Sequence, residues 1–203
     1  MNGKNWRKPA LVLSGLALAL ALAVWLFLNF ANPQWHWRLY AWQASGRPDG
    51  RLEPPPGYAG TWNDWNGDGR LLAVYRYRDG KRDGPYQIFD AAGRTLSSGQ
   101  YAAGQLDGVQ SINQEGGART EVPYRNGKRD GVEKTWFPSG QLAVEAPWLD
   151  GEQSGSVTFY YENGSIQASI PFYAGKIEGV QKTWHENGRI QAEETYRHSL
   201  KNG

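Results

Sequence analysis

The residues that most resemble a chemical site are Asp64-Trp65-Asn66-Gly67-Asp68-Gly69, which begin like a calcium-binding loop. In such a loop, alternate oxygen-bearing side chains surround a hard cation and a glycine permits the sharp turn. The glutamate that supplies two oxygens at the twelfth position is missing, because Tyr75 stands there. We therefore predict a hairpin turn at Asp68-Gly69 and no bound metal, with a calcium site at Asp64, Asn66 and Asp68 as the alternative.

Other residue types that support catalysis lack the spacing that catalysis needs. Three glycine–lysine pairs are not followed by the Ser or Thr and the helix of a phosphate loop: Gly80-Lys81, Gly127-Lys128 and Gly175-Lys176. The three histidines have no serine, cysteine or carboxylate partner at a catalytic or zinc spacing: His36, His185 and His198. Cysteine is absent. We predict that the protein is not an enzyme and needs no cofactor.

The elements that position these residues repeat along the chain. Six aromatic residues are separated by 24, 23, 24, 24 and 24 residues: Tyr77, Tyr101, Tyr124, Trp148, Phe172 and Tyr196. Glycines follow each of the first five after three, seven and sixteen residues. A period of this length is typical of supersecondary units that cannot bury their apolar face alone and are stabilised by stacking on their neighbours. The sequence therefore predicts a repeat array.

Each repeat unit is predicted to be a β-hairpin. In the unit that begins at Tyr124, we expect a turn at residues 127–131, strands at 132–137 and 141–148, and a tight turn between those strands. Two other units carry Asn163-Gly164 and Asn187-Gly188 at the tight turn, and both residue types tolerate positive φ. The fold class is therefore an all-β array, an antiparallel hairpin meander forming a long twisted sheet, preceded by one transmembrane helix.

Period-two alternation predicts which side chains share a face of this sheet. One set is expected to point inward, together with the six aromatic residues above: Val132, Trp136, Leu142, Val144 and Trp148. A second aromatic series is interrupted by an asparagine: Trp65, Phe89, Asn113, Trp136, Tyr160 and Trp184. Four residues on neighbouring units are expected to point outward as a partner-binding patch: Phe137, Phe159, Tyr161 and His185.

Residues 9–31 form an uncharged apolar run behind the positive charges of residues 1–8. As a helix, this segment would be about 34 Å long, enough to cross a bilayer core of about 30 Å. We predict a single-pass signal anchor, with a cleaved signal peptide as the alternative. The positive-inside rule then keeps residues 1–8 in the cytoplasm and places the remainder on the periplasmic side of a cell inner membrane.

Residues 32–56 are predicted to connect the anchor to a repeat domain at 57–203. Four aromatic residues of the connector suit either an interfacial belt or docking on the first repeat, and the sequence leaves both open: Trp35, Trp37, Tyr40 and Trp42. The run Pro54-Pro55-Pro56 stiffens the chain and marks the domain boundary.

The charge balance excludes one class of partner. Without the three basic residues that precede the anchor, 19 basic residues face 20 acidic ones. No basic surface is therefore offered to nucleic acid, and we predict no nucleic-acid partner. An open sheet also leaves unpaired edge strands, so we expect that two copies can pair through them.

The unit Tyr-x-x-Gly-Lys-x-x-Gly, followed by an aromatic residue and Asn-Gly-x-Ile, resembles the MORN repeat in a variant seen in bacterial proteins, some of them labelled antitoxin-like. Residues 124–131 and 184–190 carry the resemblance most clearly, within about 60–203, and the unit at 101–123 departs from it. The resemblance implies protein–protein or membrane-proximal scaffolding, while an antitoxin role fits poorly with an exported domain. We predict a membrane-anchored extracytoplasmic scaffold that binds a protein, with glycan binding through surface aromatics as the alternative.

Overall fold

The computed structural model describes residues 53–54 and 56–202, and this part of the chain contains strands and turns but no helix. Its strand segments are β1 (Gly60–Trp65), β2 (Leu71–Arg78), β3 (Lys81–Phe89), β4 (Thr95–Ala102), β5 (Gln105–Leu106), β6 (Gly108–Asn113), β7 (Arg119–Arg125), β8 (Lys128–Arg129), β9 (Gly131–Trp136), β10 (Leu142–Leu149), β11 (Glu152–Gln153), β12 (Gly155–Tyr160), β13 (Ile166–Tyr173), β14 (Lys176–Ile177), β15 (Gly179–Trp184), β16 (Ile190–Arg197) and β17 (Leu200–Asn202).

Backbone contacts divide the chain into two compact parts, which differ from the repeat units. The larger part contains Glu53–Asp64 and Leu71–Gly203 and holds the sheet. The other contains, among the described residues, the loop Trp65–Arg70. Within that loop, the N–H of Asn66 donates to the carbonyl of Arg70, and the N–H of Gly69 donates to the carbonyl of Asn66.

The strands pair in sequence order and antiparallel, so the described sheet is a meander. The short segments β5, β8, β11 and β14 are each followed, after one residue, by a longer strand. Each short segment and the longer strand after it pair with the same preceding strand. The prediction of an antiparallel hairpin array is thereby confirmed for the described residues. Each unit contributes the same two turns, because the glycines that make them recur at fixed positions.

The first kind of turn joins one unit to the next through two residues that both have positive φ. Asn126 and Gly127, at φ of 50° and 78°, connect β7 to β8, and the other units place a residue of the same conformation before the corresponding glycine. Two such residues define the turn whose twist matches that of the strands it joins. The predicted turn at 127–131 was therefore too long, since Lys128 and Arg129 already lie in a strand.

The second kind of turn closes each hairpin with a five-residue loop. In the loop Tyr161–Ser165, the N–H of Tyr161 donates to the carbonyl of Ser165, and the N–H of Gly164 donates to the carbonyl of Tyr161. Gly164 has a φ of 85°, whereas Asn163 is not among the residues with positive φ. Asn163-Gly164 and Asn187-Gly188 therefore lie in the hairpin turns as predicted, but only the glycine of each pair adopts positive φ. The side chain explains why: Asn163 Oδ1 accepts a hydrogen bond from the N–H of Ser165 and braces the loop from within.

Neighbouring two-residue turns are tied together at one end of the sheet. The N–H of Gly104 donates to the carbonyl of Arg82, and the same bond joins Gly127 to Leu106, Gly151 to Arg129 and Gly175 to Gln153 at 2.8–3.0 Å. Acidic side chains add further links, as when Asp107 Oδ2 accepts from the N–H of Asn126 at 3.1 Å. Stacking of units is therefore built from backbone groups, and the first glycine of each unit is its donor.

A bulge after most five-residue loops decides which way the side chains point. In β10, Leu142 pairs with Trp136 and Val144 pairs with Thr135, so Ala143 is an extra residue. An extra residue reverses the alternation of side chains beyond it. As a result, Trp136 and Leu142 lie on one face of the sheet, whereas Val144 and Trp148 lie on the other. The prediction of one inward set containing Trp136 and Trp148 was therefore wrong.

One face of the sheet holds almost all the buried side chains, and we call it the core face. Its fully or nearly buried members are Ala73, Tyr75, Tyr86, Ser97, Thr120, Val122, Ala146 and Val157. The six periodic aromatic residues beginning with Tyr77 share this face. We call the opposite side the outer face. It carries Trp136 and the other described members of the second aromatic series from Phe89 onward.

The unit at 101–123 differs from its neighbours in how its strands pair. Its strands β6 and β7 pair without a register shift from Asn113 and Arg119 to Gly108 and Tyr124. The bulge residue is missing, and this accounts for the single gap of 23 residues among gaps of 24.

Candidate interaction surface

The side chains of the core face contact one another and leave little free surface. One example is the guanidinium of Arg82, which lies between phenol rings. The Arg82 guanidinium carbon lies 4.0 Å from the centroid of the Tyr75 ring, and its nitrogens donate to the hydroxyls of Tyr77 and Tyr101 at 3.3 and 3.4 Å. Burial lowers the pKa of Arg82, but the two hydrogen bonds raise it more, so the net direction is upward and the group stays charged. Its donors are engaged inside the protein, which leaves this cation poorly placed to bind an external ligand.

Two further sets of polar groups on the core face are also engaged by other residues of the protein. The Arg129 guanidinium lies 4.6 Å from the Trp148 ring centroid and 3.2 Å from Glu133 Oε2. The buried Tyr86 hydroxyl accepts from Gln110 Nε2 at 2.8 Å and lies 3.3 Å from Ser97 Oγ. Burial raises the pKa of Tyr86 above its ordinary value. One buried donor, Trp148 Nε1, has no hydrogen-bond partner among the described residues.

The outer face carries a stripe of apolar side chains that crosses the strands. Val109 pairs with Pro123, Val132 with Pro147, and Ser156 with Pro171. The register that pairs Glu121 with Lys134 places Pro123 beside Val132, and the registers of the later units continue the same order to Val180. We call this set the Val–Pro stripe: Val109, Pro123, Val132, Pro147, Pro171 and Val180, with Ser156 as its one polar position.

The three valines of the Val–Pro stripe are unusually open for apolar side chains in a sheet. Val109, Val132 and Val180 expose 54%, 47% and 42% of their surface. The stripe crosses seven strands, β6, β7, β9, β10, β12, β13 and β15. Six spacings of about 4.8 Å give it a length of roughly 29 Å. A depression of about 430 Å³ lined by Val74, Pro85 and Val109 lies at its first end. Contiguous exposed apolar surface of this kind is a mark of a binding site.

The prolines of the stripe are fixed by glycines on the next strand. A Cβ added to Gly131, Gly155 or Gly179 would lie 3.0, 2.9 or 3.2 Å from Cγ of Pro123, Pro147 or Pro171. These glycines also have φ of 114° to 120°, which L side chains rarely adopt. In these three units the second glycine is therefore required by the proline, a connection that sequence reasoning missed although both residues recur at the repeat period.

Charged side chains on the outer face are paired with each other. Lys134 Nζ lies 3.3 Å from Glu145 Oε1, and Lys182 Nζ lies 3.0 Å from Glu193 Oε1. Tyr160 donates its hydroxyl hydrogen to Glu145 Oε2 at 3.0 Å, and burial, followed by this bond, raises the pKa of Tyr160. The surroundings of the stripe therefore carry little net charge.

The predicted partner-binding patch is divided by the structure. Phe137, Tyr161 and His185 are the first residues of three successive five-residue loops, so they form a row along one end of the sheet. Tyr161 is tied down by a hydrogen bond from its hydroxyl to the carbonyl of Trp184 at 2.8 Å. Phe159 does not join this row, because it pairs with Val144 and Ala168 on the core face. Whether these residues bind a partner stays a prediction.

The calcium-like sequence is used for loop capping. Asn66 Oδ1 accepts hydrogen bonds from the N–H groups of Asp68 and Arg70 at 3.1 and 2.8 Å. Asp90 does the same in the next unit, where hydrogen bonds from Arg94 lower the pKa of its carboxyl group. Asp64 Oδ1 accepts from Trp62 Nε1 at 2.9 Å. Across the residues that the structure describes, no group of three or more His, Cys, Asp or Glu side chains is arranged to hold a metal ion.

The predicted anchor at 9–31 and the connector up to residue 52 lie outside the described residues. Within the described ranges there is no helix long and apolar enough to cross a membrane.

Stacked hairpins with a 24-residue period and glycine-determined turns define a class of β-repeat protein, and comparison with known families shows which repeat part of the chain resembles. Residues 129–150, 153–172 and 177–198 match the model of the MORN repeat variant. These three segments are therefore similar to MORN repeats, which are generally protein- or membrane-interaction modules.

Comparison with individual proteins adds little. No curated protein matches the chain. Among solved structures, a mutant of TarM from S. aureus, in complex with Fondaparinux, alpha-GlcNAc-glycerol and UDP, is similar at 14% identity and a TM-score of 0.32. The similarity covers 55% of this chain and 19% of that one.

Proposed function

We propose that the chain is a membrane-anchored scaffold whose MORN repeats lie outside the cytoplasm and bind a protein partner along the outer face. The repeat match supports an interaction module, and the apolar run at 9–31 behind a basic tail supports the anchor and its orientation. The Val–Pro stripe is the observation that carries the choice of surface.

The side chains of the stripe suit recognition of another protein. Valine and proline have little rotamer freedom to lose when a partner covers them, so burial of their surface is converted into affinity with a small entropic cost. They are also held on paired strands, which makes the surface preorganised. The core face offers less, because its aromatic rings and guanidinium groups already contact one another.

The charges indicate what kind of partner fits. The lysines beside the stripe are paired with glutamates, so the outer face attracts neither nucleic acid nor an anionic bilayer strongly. An apolar line about 29 Å long with neutral borders matches an extended or edge segment of a protein that presents apolar side chains along its length.

The experiment compares two double variants of the full chain. After crosslinking in intact cells and purification in mild detergent, the parent chain should carry one envelope protein at near-stoichiometric yield. The Val132→Asp, Val180→Asp chain should lose it, because two charges would be desolvated in the interface. The Val132→Thr, Val180→Thr chain, which keeps the side-chain shape, should retain most of it. Equal capture by the aspartate chain would refute the assigned surface.

The loop row gives a second, independent comparison. If Phe137 and Tyr161 also contact the partner, then Phe137→Asp with Tyr161→Asp should weaken capture. Binding of glycans by these aromatic residues remains the alternative, and co-sedimentation of the full chain with cell-wall material, lost in the same double variant, would favour it.

A further inference from the structure

The unit at 101–123 leaves open a space that a ring occupies in the other described units. The second aromatic series has Phe89, Trp136, Tyr160 and Trp184 at equivalent positions, all partly buried, but Asn113 in this unit is exposed. The next residue, Gln114, is exposed too, where later units have Phe137, Tyr161 and His185. Gly116 and Gly117 then remove two more side chains from the loop.

A cavity results between two neighbouring loops. It has a volume of about 540 Å³ and lies between residues 90–96 and 113–117. This volume is within the range of roughly 300–1,000 Å³ that is usual for ligand pockets. Thr95, Leu96 and Asn113 line it, and Leu96, the bulge residue of β4, is 38% exposed. The apolar side chain of Leu96 is therefore partly exposed in this pocket, where the repeat pattern predicts an aromatic neighbour.

The polar groups of the pocket specify the ring further. Asn113 Nδ2 donates to the carbonyl of Thr95 at 2.9 Å, and no described group donates to Asn113 Oδ1. This oxygen is an available acceptor for an indole N–H or a phenol O–H. At the rim, Arg94 is paired with Asp90 at 2.7 Å, whereas Glu115 makes no hydrogen bond or ion pair with any described residue. The pocket therefore has one uncompensated negative charge.

We propose that this pocket binds a Trp or Tyr side chain of the protein partner, with a Lys or Arg next to it in the partner's sequence. The ring fills the position that Asn113 leaves vacant in the aromatic series, its donor meets Asn113 Oδ1, and the adjacent cation meets Glu115. The inference rests on the proposed function, since it specifies the chemistry of that partner at one end of the surface.

The test uses acetylated, amidated dipeptides as probes and the full chain in detergent micelles. Trp-Lys should shift the amide resonances of residues 90–96 and 113–117 in a saturable way, and Ala-Lys should not. Trp-Glu should bind several-fold more weakly than Trp-Lys, and Glu115→Gln should remove this difference. The expected difference is small because one charge pair at an exposed rim has a modest effect.

A pocket-filling variant gives the decisive comparison. Asn113→Trp supplies the missing ring from within the chain and should weaken Trp-Lys binding by at least about tenfold, since the site is then occupied. Asn113→Ser keeps the pocket open and should retain binding within a few-fold. Thermal unfolding should show both variants folded, and Leu96→Asp provides a second route to loss of binding if Asn113→Trp is unstable.

Three results would overturn the inference: no saturable shift with Trp-Lys, shifts spread over the whole sheet, or equal binding by the Asn113→Trp chain. Failure of the proposed function would look different. It would appear as unchanged partner capture by the Val132→Asp, Val180→Asp chain, a measurement in which the dipeptides take no part.

Discussion

At the scale of single residues, a few contacts explain why glycine recurs at the second glycine position of the units. Gly155 faces Pro147 and has a φ of 115°. Gly108 occupies the same position of its own unit with a φ of 104°, but nothing lies within 4 Å of where its Cβ would be. A comparison of Gly155 with Gly108 therefore separates the effect of backbone strain from the effect of steric contact.

We predict that Gly155→Ala and Gly108→Ala both destabilise the protein, but to different extents. Strain at positive φ should cost about 1–3 kcal/mol in each. Gly155→Ala should cost about 1 kcal/mol more, because its Cβ would lie 2.9 Å from Pro147 Cγ. Urea unfolding of the full chain in micelles measures both. Equal losses would show that the proline contact has no energetic role.

The hydroxyl of Tyr86 gives a prediction on pH dependence. Its pKa is raised by burial, so the folded state holds this proton more tightly than the unfolded state, in which tyrosine titrates near pH 10. Its contribution to stability is therefore complete below about pH 10 and is lost as the pH rises towards the folded pKa.

Tyr86→Phe should lower stability at neutral pH by about 1–2 kcal/mol, because the hydrogen bonds with Gln110 and Ser97 are lost. It should also flatten the decline of stability above about pH 10. Thermal midpoints between pH 7 and 11 would show both effects, with Tyr173→Phe on an exposed ring as the control. A variant whose decline is as steep as that of the parent chain would contradict the assignment.

At the scale of elements, the turns decide the fold and the bulges decide the faces. Period and glycine positions predicted the hairpins correctly, because turn residues act locally. The faces were predicted wrongly because a bulge residue such as Ala143 carries no local signature and reverses every side chain beyond it. One available signal was the single gap of 23 residues, which marks the unit that lacks a bulge. A second available signal was the proline that directly precedes three of the periodic aromatic residues, Tyr124, Trp148 and Phe172.

This account predicts that bulge residues can be removed while paired residues cannot. Gln167 is the extra residue of β13, since Phe159 pairs with Ala168 and Tyr160 with Ile166. Deleting Gln167 should give the regular pairing of the 101–123 unit at a cost of no more than about 1–3 kcal/mol. Deleting Ser169, which pairs with Thr158, should move the following side chains to the wrong face and unfold the last units.

Far-UV circular dichroism and thermal unfolding of the two deletion chains would distinguish these results. Comparable loss of structure in both would mean that the bulge is not the reason for the difference between units of 23 and 24 residues.

At the scale of the whole molecule, the sequence predicts a membrane anchor ahead of the repeats. If residues 9–31 are an uncleaved anchor, the full chain should remain in the membrane pellet after alkaline carbonate extraction and keep its N-terminus. Replacing residues 9–31 by a cleavable signal peptide should release the repeats into the periplasmic fraction. Intact-mass measurement would settle the alternative of a cleaved signal peptide directly, since a cut within 9–31 shortens the recovered chain.

The proposed interaction surface could be predicted only in part from the sequence. Apolar residues at fixed spacing were visible, but the joining of Val109, Pro123, Val132 and Pro147 into one line depends on register across strands, which no single unit specifies. The same is true of Phe159, whose assignment to the outward patch failed because its face depends on the bulge at Gln167. Local turn chemistry was predictable, whereas the composition of each face was not.

The most direct test of the scaffold proposal is site-specific photo-crosslinking in intact cells. A benzophenone amino acid would be placed in turn at Val132 and Val180 on the Val–Pro stripe, and at Ala192, which is exposed on the core face where it pairs with Thr183. The account predicts the same single protein adduct from Val132 and Val180, and none from Ala192. Adducts from all three positions alike, or none from the two valines, would contradict it.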